Sequence, residues 1–392
     1  MILERGKLVN LLVGIVVCAL PLYLRVTTYD FNRTSKDNLA IILYGVLVSL
    51  MPDRKRVLPI SLLLAFIYSI ITAVLNQHQV SSINVIMQSF YMSFTLMFFV
   101  NYYEKHDGKF LAPLKWGCFM GCLIQSAIAI LGYHGTNVYP PFIGLFTNIN
   151  NVVTTGAGAS NSVGSLGNNN LLASYLAITS MVFFEGKFKY FILVPMYALF
   201  CTHSFMGNLS FYSGAIYFLN YRYNLFNKAY LYLGAAAAML TSFLTGAMGK
   251  DNGRFQGWHK NFDLVDMKHL LIGKGPGWFP DLRLAAGPET YLQQEHNGFL
   301  TAFNVGGIVL FLLLLPVLIK FLRVKDSGKT AVFASMMFVA FCNSFGHFSL
   351  HQSTVVILII MASCICLGES NGINLDGGGS ALQTRFAQKG LK

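Results

Sequence analysis

The stretch YFILVPMYALFCTHSFMGNLSFYSGAIYFLN, running from Tyr190 to Asn220, decides the fold of this chain. It contains no Asp, Glu, Lys or Arg, yet it is flanked by Lys187 and Lys189 on one side and by Arg222 and Lys228 on the other. One helical crossing of a bilayer takes about 20 apolar residues, so the stretch reads either as one overlong helix or as two short ones. Basic residues in short loops stay on the inner side of a membrane. Keeping both flanks there requires a hairpin that turns near Thr202–Asn208, where the polar residues gather. A single crossing would invert every later element and carry the cluster Lys320, Arg323, Lys325 and Lys329 outward. The hairpin is therefore the expectation.

The rest of the chain follows the same logic. It has 392 residues, of which 54% are hydrophobic and 11% charged, against roughly 25% charged in a soluble domain. That composition leaves too little polar surface to coat a water-soluble globule. The apolar residues come in long runs, which predicts an all-α polytopic membrane protein. Twelve crossings are expected, at 8–24, 38–52, 57–75, 82–102, 114–132, 170–184, 190–203, 206–220, 229–247, 297–322, 330–346 and 354–368. With the N-terminus inside, 19 of the 28 Lys and Arg residues fall on inner segments. The net charge of +12 is thus explained by topology, and nucleic acid is not an expected partner. Residues 1–368 form a single transmembrane domain on this reading. Residues 369–392 form a cytoplasmic tail whose GGGS at 377–380 has the composition of a flexible linker. The seven cysteines are odd in number, lie inside apolar runs and lack zinc-ligand neighbours, so they read as small buried hydrophobes. The apolar run after Arg5 and Lys7 lacks a clean cleavage site and reads as a retained first helix.

Two external loops carry the chemistry. Residues 133–169 contain no charged side chain but many Gly, Asn, Ser and Thr. Residues 248–296 hold six basic residues and two of the three tryptophans. Eight of the nine histidines fall on or near the outer side, His106 being the exception. Within the second loop, Phe255, Trp258, Phe262 and Val265 recur at helical spacing and predict an amphipathic helix lying in the membrane surface. Arg254, Asn261 and Lys268 occupy another face of it; a solvated basic face is the plain alternative to a binding role. The segment Gly273-Lys274-Gly275-Pro276-Gly277-Trp278-Phe279 reads as a tight turn, or as a backbone that exposes N–H groups to an anion. It lacks the spacing of a nucleotide-binding loop. Glu295-His296-Asn297 stands at the mouth of the tenth crossing, a histidine between a carboxylate and an amide. Asn168, Asn169 and Asn170 open the sixth crossing, where they would either cap the helix or bind sugar.

In this order the motifs resemble the O-antigen ligase and polymerase superfamily of bacterial integral membrane glycosyltransferases. Gly164–Ala173 is similar to the family's G-x-F-x-N-P-N-x-x-A stretch. Gly253-Arg254, Trp258 and Gly273–Phe279 are similar to its G-R…W…P-x-x-G-x-G-x-G-x-F loop, and His296-Asn297 with Gly307 to its H-N-x9-G element. The resemblance covers roughly residues 8–368. The chain departs from the family at Thr202-His-Ser-Phe205, where T-x-S-R is frequent, at Asn161-Ser162, where an arginine usually precedes the first stretch, at Asn169, where proline is usual, and at Leu310, which replaces a glycine.

The resemblance implies a fold of the C-type glycosyltransferase kind in the bacterial inner membrane, with both termini cytoplasmic and the active site periplasmic. It implies an undecaprenyl-diphosphate-linked glycan as donor and, as acceptor, either a second glycan (a polymerase of O-antigen, capsule or exopolysaccharide) or lipid A core (a ligase of lipopolysaccharide biosynthesis). Protein-directed transfer shares the same donor. Polymerase is preferred slightly, and a chain-length regulator is a further expected partner. Arg254 is expected to stabilise charge growing on the diphosphate and His296 to act as general base. Glu295 and Asn297 would orient the ring or the sugar. Lys274 and Arg283 would stand in for the family's missing arginines, with Trp258, Trp278, Asn168 and Asn170 completing the substrate contacts. The acidic residues of the external loops are scattered, so transfer without a metal or other cofactor, with inversion, is expected. A lipid-glycan transporter or flippase is the rival from another class; it would require mid-membrane charges, broken helices and internal repeats.

Overall fold

The structure is a computed structural model that describes residues 111–134, 169–244, 266–275, 298–323 and 330–345, with a few positions between 11 and 18 and between 64 and 75. The described residues are mostly helical, with short turns between helices and no strand among them. Eight α-helices follow in chain order: α1 Leu111–Tyr133, α2 Asn169–Thr179, α3 Leu193–Cys201, α4 Phe205–Tyr223, α5 Lys228–Leu244, α6 Met267–Ile272, α7 Gly298–Arg323 and α8 Ala331–Asn343. α2 continues into a 3₁₀ segment, Ser180–Phe184, and a second one, Gly186–Phe191, leads into α3. The expected crossings from 114 to 132 and from 170 to 346 thus coincide with helices, give or take a few residues. The expected crossings at 38–52, 82–102 and 354–368 and the surface helix from 253 to 265 lie outside the described residues, as do most of 8–24 and 57–75.

α1 is the one described helix that is both long and apolar enough to cross a membrane unaided; Asn169–Phe184 and Ala331–Asn343 are shorter apolar helices. The expectation of twelve crossings is therefore met here only at the level of all-helical architecture. The 3₁₀ extension lengthens α2: at 1.5 Å per α residue and 2.0 Å per 3₁₀ residue, Asn169–Phe184 spans about 26 Å.

α2 is the central element. Leu172, Ala173, Tyr175, Leu176, Ala177 and Ile178 are all fully buried, so the helix is covered on every side. A helix apolar all round has no solvent face to offer. α1, α4 and α8 pack around it, α3 lies against α1, and α4 packs extensively on α8. Close approach relies on small residues: a Cβ at Gly207 would strike Ala173, and one at Gly214 would strike Val339 and Met181.

Two poles are distinguishable. At one, Lys115 near the start of α1 pairs with Glu185 beyond α2 at 2.5 Å. At the other lie the end of α1, the start of α2 and the turn Thr202–Ser204 between α3 and α4. The hairpin inferred from charge is present, and its turn is built from its own polar residues. Ser204 caps α4 by accepting the Gly207 N–H, and the Ser204 N–H donates to Thr202 Oγ1. The return turn after α4 closes through Asn220, whose side chain donates to Phe226 O and accepts the Phe226 N–H. Asn224 there takes the left-handed conformation (φ 50°) that asparagine tolerates at a helix end.

Candidate functional site

Of the residues expected to carry chemistry, Arg254, Trp258, Trp278, Arg283, Glu295, His296, Asn297 and Asn168 lie outside the described residues. Lys274 and Asn170 are described, as are Asn169 and Gly307. Each sits at a junction between elements.

The asparagines lock the start of α2 to the hairpin turn. Asn169 Nδ2 donates to Thr202 O at 3.2 Å, and Ser204 Oγ donates to Asn170 Oδ1 at 2.8 Å. One helical turn further in, Ser174 Oγ donates to Asn170 O and in turn accepts from Asn343 Nδ2 near the end of α8. This chain of bonds ties three helices at one pole. Of the two roles open to these asparagines, helix capping or sugar binding, Asn169 and Asn170 thus have a structural one. Phe205, which follows this turn, is 69% exposed.

The glycine-rich segment is held more tightly than a plain surface turn. Asp266 starts α6 by accepting the His269 N–H at 2.7 Å, and the hydrogen bond from that amide holds its carboxyl below the ordinary carboxylate range. His269 Nδ1 also lies 2.7 Å from Asp266 Oδ1, close enough for attraction but not aligned as a hydrogen bond. α6 ends at Gly273 (φ 75°), whose N–H donates to His269 O. Tyr68 Oη donates to Ile272 O at 2.6 Å, and the Lys274 N–H donates to Asn304 O at 2.6 Å. The amides of Gly273 and Lys274 are therefore used within the protein. That favours the turn over the anion-cradling backbone at these two positions. The Lys274 side chain is half buried.

Its acceptor lies beside a break in α7. Gly307 has φ 59° and ψ −161°, a conformation essentially reserved for glycine. In an unbroken helix Asn304 O would accept the N–H four residues on, from Ile308. The break at Gly307 falls within that span, and Asn304 O accepts the Lys274 N–H. Gly307 also lies directly against the end of α6: a Cβ there would fall on the Leu271 carbonyl and the Gly273 nitrogen. Lys274 and Gly307, assigned from sequence to two separate motifs, are thus joined at one place. By helix rise, that place lies about 9 Å down α7 from its first residue, and α7 begins immediately after Asn297.

A set of residues that the sequence did not single out gathers beside the asparagine junction. Tyr133, His134, Tyr197, Phe200 and His203 form a closed circuit of neighbouring rings, with centroid spacings between 5.3 and 6.3 Å. The bias of histidines to one side was the signal that could have found them.

No protein-family model and no curated protein sequence matches the chain.

Proposed function

We propose that the chain is a polytopic membrane glycosyltransferase that works at the outer face on an undecaprenyl-diphosphate-linked glycan, joining repeat units of a surface polysaccharide. The observation that carries this reading is the docking of Lys274 on Asn304 at the Gly307 break. It brings Lys274 within two helical turns of the start of α7, the helix that His296-Asn297 precedes in sequence. An outer-face transferase has no access to nucleotide sugars, so its donor must bring its own leaving group, and a diphosphate needs fixed cations. In the step proposed, the acceptor hydroxyl oxygen bonds to the donor's anomeric carbon as the bond from that carbon to the diphosphate oxygen breaks. His296 takes the hydroxyl proton, and Arg254, helped by Lys274, meets the charge left on the diphosphate.

The membrane part of the reading is supported by side chains that water would not favour. Val74, Leu193, Phe205, Ile216, Leu233 and Leu312 are each more than half exposed, an apolar exterior that lipid accepts. At the Lys115 pole, Lys187 lies over the Trp116 ring at 4.9 Å and Lys189 over Tyr190 at 5.3 Å. Aromatic and basic residues gathered in this way suit the inner membrane interface.

The test is complementation of a strain lacking the gene with His296→Ala and Arg254→Ala, with protein level checked and surface glycan resolved by length. Loss of all but single repeats attached to core supports polymerase action. Loss of all attached glycan, with long lipid-linked chains accumulating, supports transfer to lipid A core, the ligase alternative. Wild-type behaviour of both variants overturns the assignment.

One observation favours the transporter reading as a second possibility: carriers are built on helices broken near the binding site, and α7 is broken at Gly307. Purified chain in vesicles that moves lipid-linked glycan across the bilayer without lengthening it would establish that reading instead.

A further inference from the structure

The ring circuit at the asparagine pole has a geometry that structural packing does not require. His134 Nε2 and Tyr197 Oη are hydrogen-bonded at 2.9 Å while their ring centroids are 6.1 Å apart and their planes differ by 24°. Such a short contact between ring edges at that centroid distance means that the rings lie edge to edge, not one above the other. Tyr197 and Phe200 differ by only 15° with centroids 6.3 Å apart, too far for overlapped stacking. His134, Tyr197 and Phe200 are therefore three successive neighbouring rings, tilted by 24° and 15° from one to the next. All three are exposed, Tyr197 by 42% and Phe200 by 58%. Tyr133 and His203 close the circuit, His203 with a left-handed backbone (φ 50°). For a non-glycine residue outside Asn and Asp that conformation costs roughly 1–2 kcal/mol; here it accompanies the placing of the imidazole between Phe200 and Tyr133.

We infer that this platform binds neutral sugar rings of the glycan, by stacking the C–H faces of pyranoses on Tyr197 and Phe200. The inference rests on the glycosyltransferase reading for the identity of the glycan, but not for the existence of the platform. The chemistry fits a sugar in three ways. A pyranose face carries weakly positive C–H groups, which match the negative face of an aromatic ring. Sugar hydroxyls need donors and acceptors at the rim, and His134, His203 and the Tyr197 hydroxyl provide them. None of the five side chains is an Asp, Glu, Lys or Arg, and residues 133–169, which continue from Tyr133, contain none either. That absence favours a neutral sugar over a phosphate or an acidic one. A membrane-interface belt is also built of aromatics, but it does not call for two histidines, one of them strained, among the exposed rings.

The experiment uses the full chain in lipid nanodiscs and saturation-transfer NMR. The probe is the set of oligosaccharides released by mild acid from the surface polysaccharide of the cells that make this chain. Phe200→Leu and Tyr197→Leu keep an apolar side chain at the interface but remove the flat ring. The expected result is probe binding by wild type that weakens by about tenfold in either variant. Absence of binding by wild type, or equal binding by the leucine variants, overturns the platform. So does a pattern in which Phe200→Ala alters insertion into the disc and Phe200→Leu changes nothing, because that is the behaviour of a membrane belt. If instead the platform binds the probe and the wild-type chain transfers no glycan, the transferase reading falls and the platform stands.

Discussion

Replacing Gly307 by alanine should undo the junction that joins α6 to α7. Two effects add. The backbone at φ 59°, ψ −161° is one that a side chain resists, at roughly 1–2 kcal/mol. The new Cβ would also fall against the Leu271 carbonyl and the Gly273 nitrogen. These are backbone atoms that cannot swing aside as a side-chain tip would. Easing the clash shifts the end of α6 away from α7 and loosens the Lys274 N–H bond to Asn304 O, at a cost of about 1 kcal/mol. The expected total is about 2–3 kcal/mol, localised to the junction. The assay is hydrogen exchange by mass spectrometry on the purified chain in nanodiscs. Peptides covering 266–275 should exchange about 30- to 150-fold faster in the variant, the range that 2–3 kcal/mol corresponds to at 1.4 kcal/mol per tenfold. Gly234→Ala on α5 is the matched control, since a Cβ there meets nothing within 4 Å. It should be neutral or stabilising by up to about 1 kcal/mol. Unchanged protection of 266–275 in Gly307→Ala would refute the reasoning, because it would mean that the break in α7 does not hold the loop.

Other perturbations probe the remaining junctions. Ser204→Ala removes both the cap on Gly207 and the bond to Asn170 and should destabilise by about 2 kcal/mol; thermal unfolding in detergent should place it well below Ser213→Ala, which loses one local bond to Leu209 O. At the opposite pole, Glu185→Gln should cost more than Lys115→Met, with a difference on the order of 1 kcal/mol. The Lys115 side chain is only 12% exposed and would be left without its counter-ion, whereas Glu185 is 37% exposed and can be hydrated; the same melting experiment ranks the two. The Asp266 carboxyl is held below its ordinary value chiefly by the His269 amide. Its contribution is therefore present above the unfolded carboxylate value and is lost as pH falls through the depressed one. Protection of the α6 amides, corrected for intrinsic exchange, should decline at that acid end, and Asp266→Asn should flatten the dependence. Glycan transfer by the purified chain should persist in a metal chelator, and abolition by chelator with rescue by a divalent cation would overturn the metal-independent mechanism.

Much of the helical layout was legible in the chain. The hairpin in 190–220 follows from charge alone, because lysines and arginines at both ends of an uncharged stretch leave one arrangement that keeps them together. The turn falls at Thr202–Ser204, within the polar window that the sequence offered. Helix ends agree within a few residues because short polar and glycine-bearing loops separate long apolar runs, and that contrast is written locally. The extent of the 170–184 crossing was legible too, since α2 and its extension run from Asn169 to Phe184; that Ser180–Phe184 winds as 3₁₀ was not, because no residue there marks it.

The candidate site divides along the same line. Sequence marked Lys274, Gly307 and the asparagines as separate pieces, each with a plain alternative, because one residue's chemistry says nothing of which distant carbonyl it will meet. Tertiary structure decided that Lys274 and Gly307 belong to one junction, since two backbones bond only where the packing brings them close enough. It decided likewise that Asn169 and Asn170 hold the α3–α4 turn. Of the five-ring platform the sequence offered only the one-sided bias of histidines. Its members lie on α1, on α3 and in the turn after α3, as much as 70 residues apart, and no local periodicity links them. What the sequence determined by itself is what depends on neighbours along the chain: apolar runs, charge asymmetry and turns. What only the tertiary structure decided is which polar groups and which ring faces meet, because that depends on how whole helices pack.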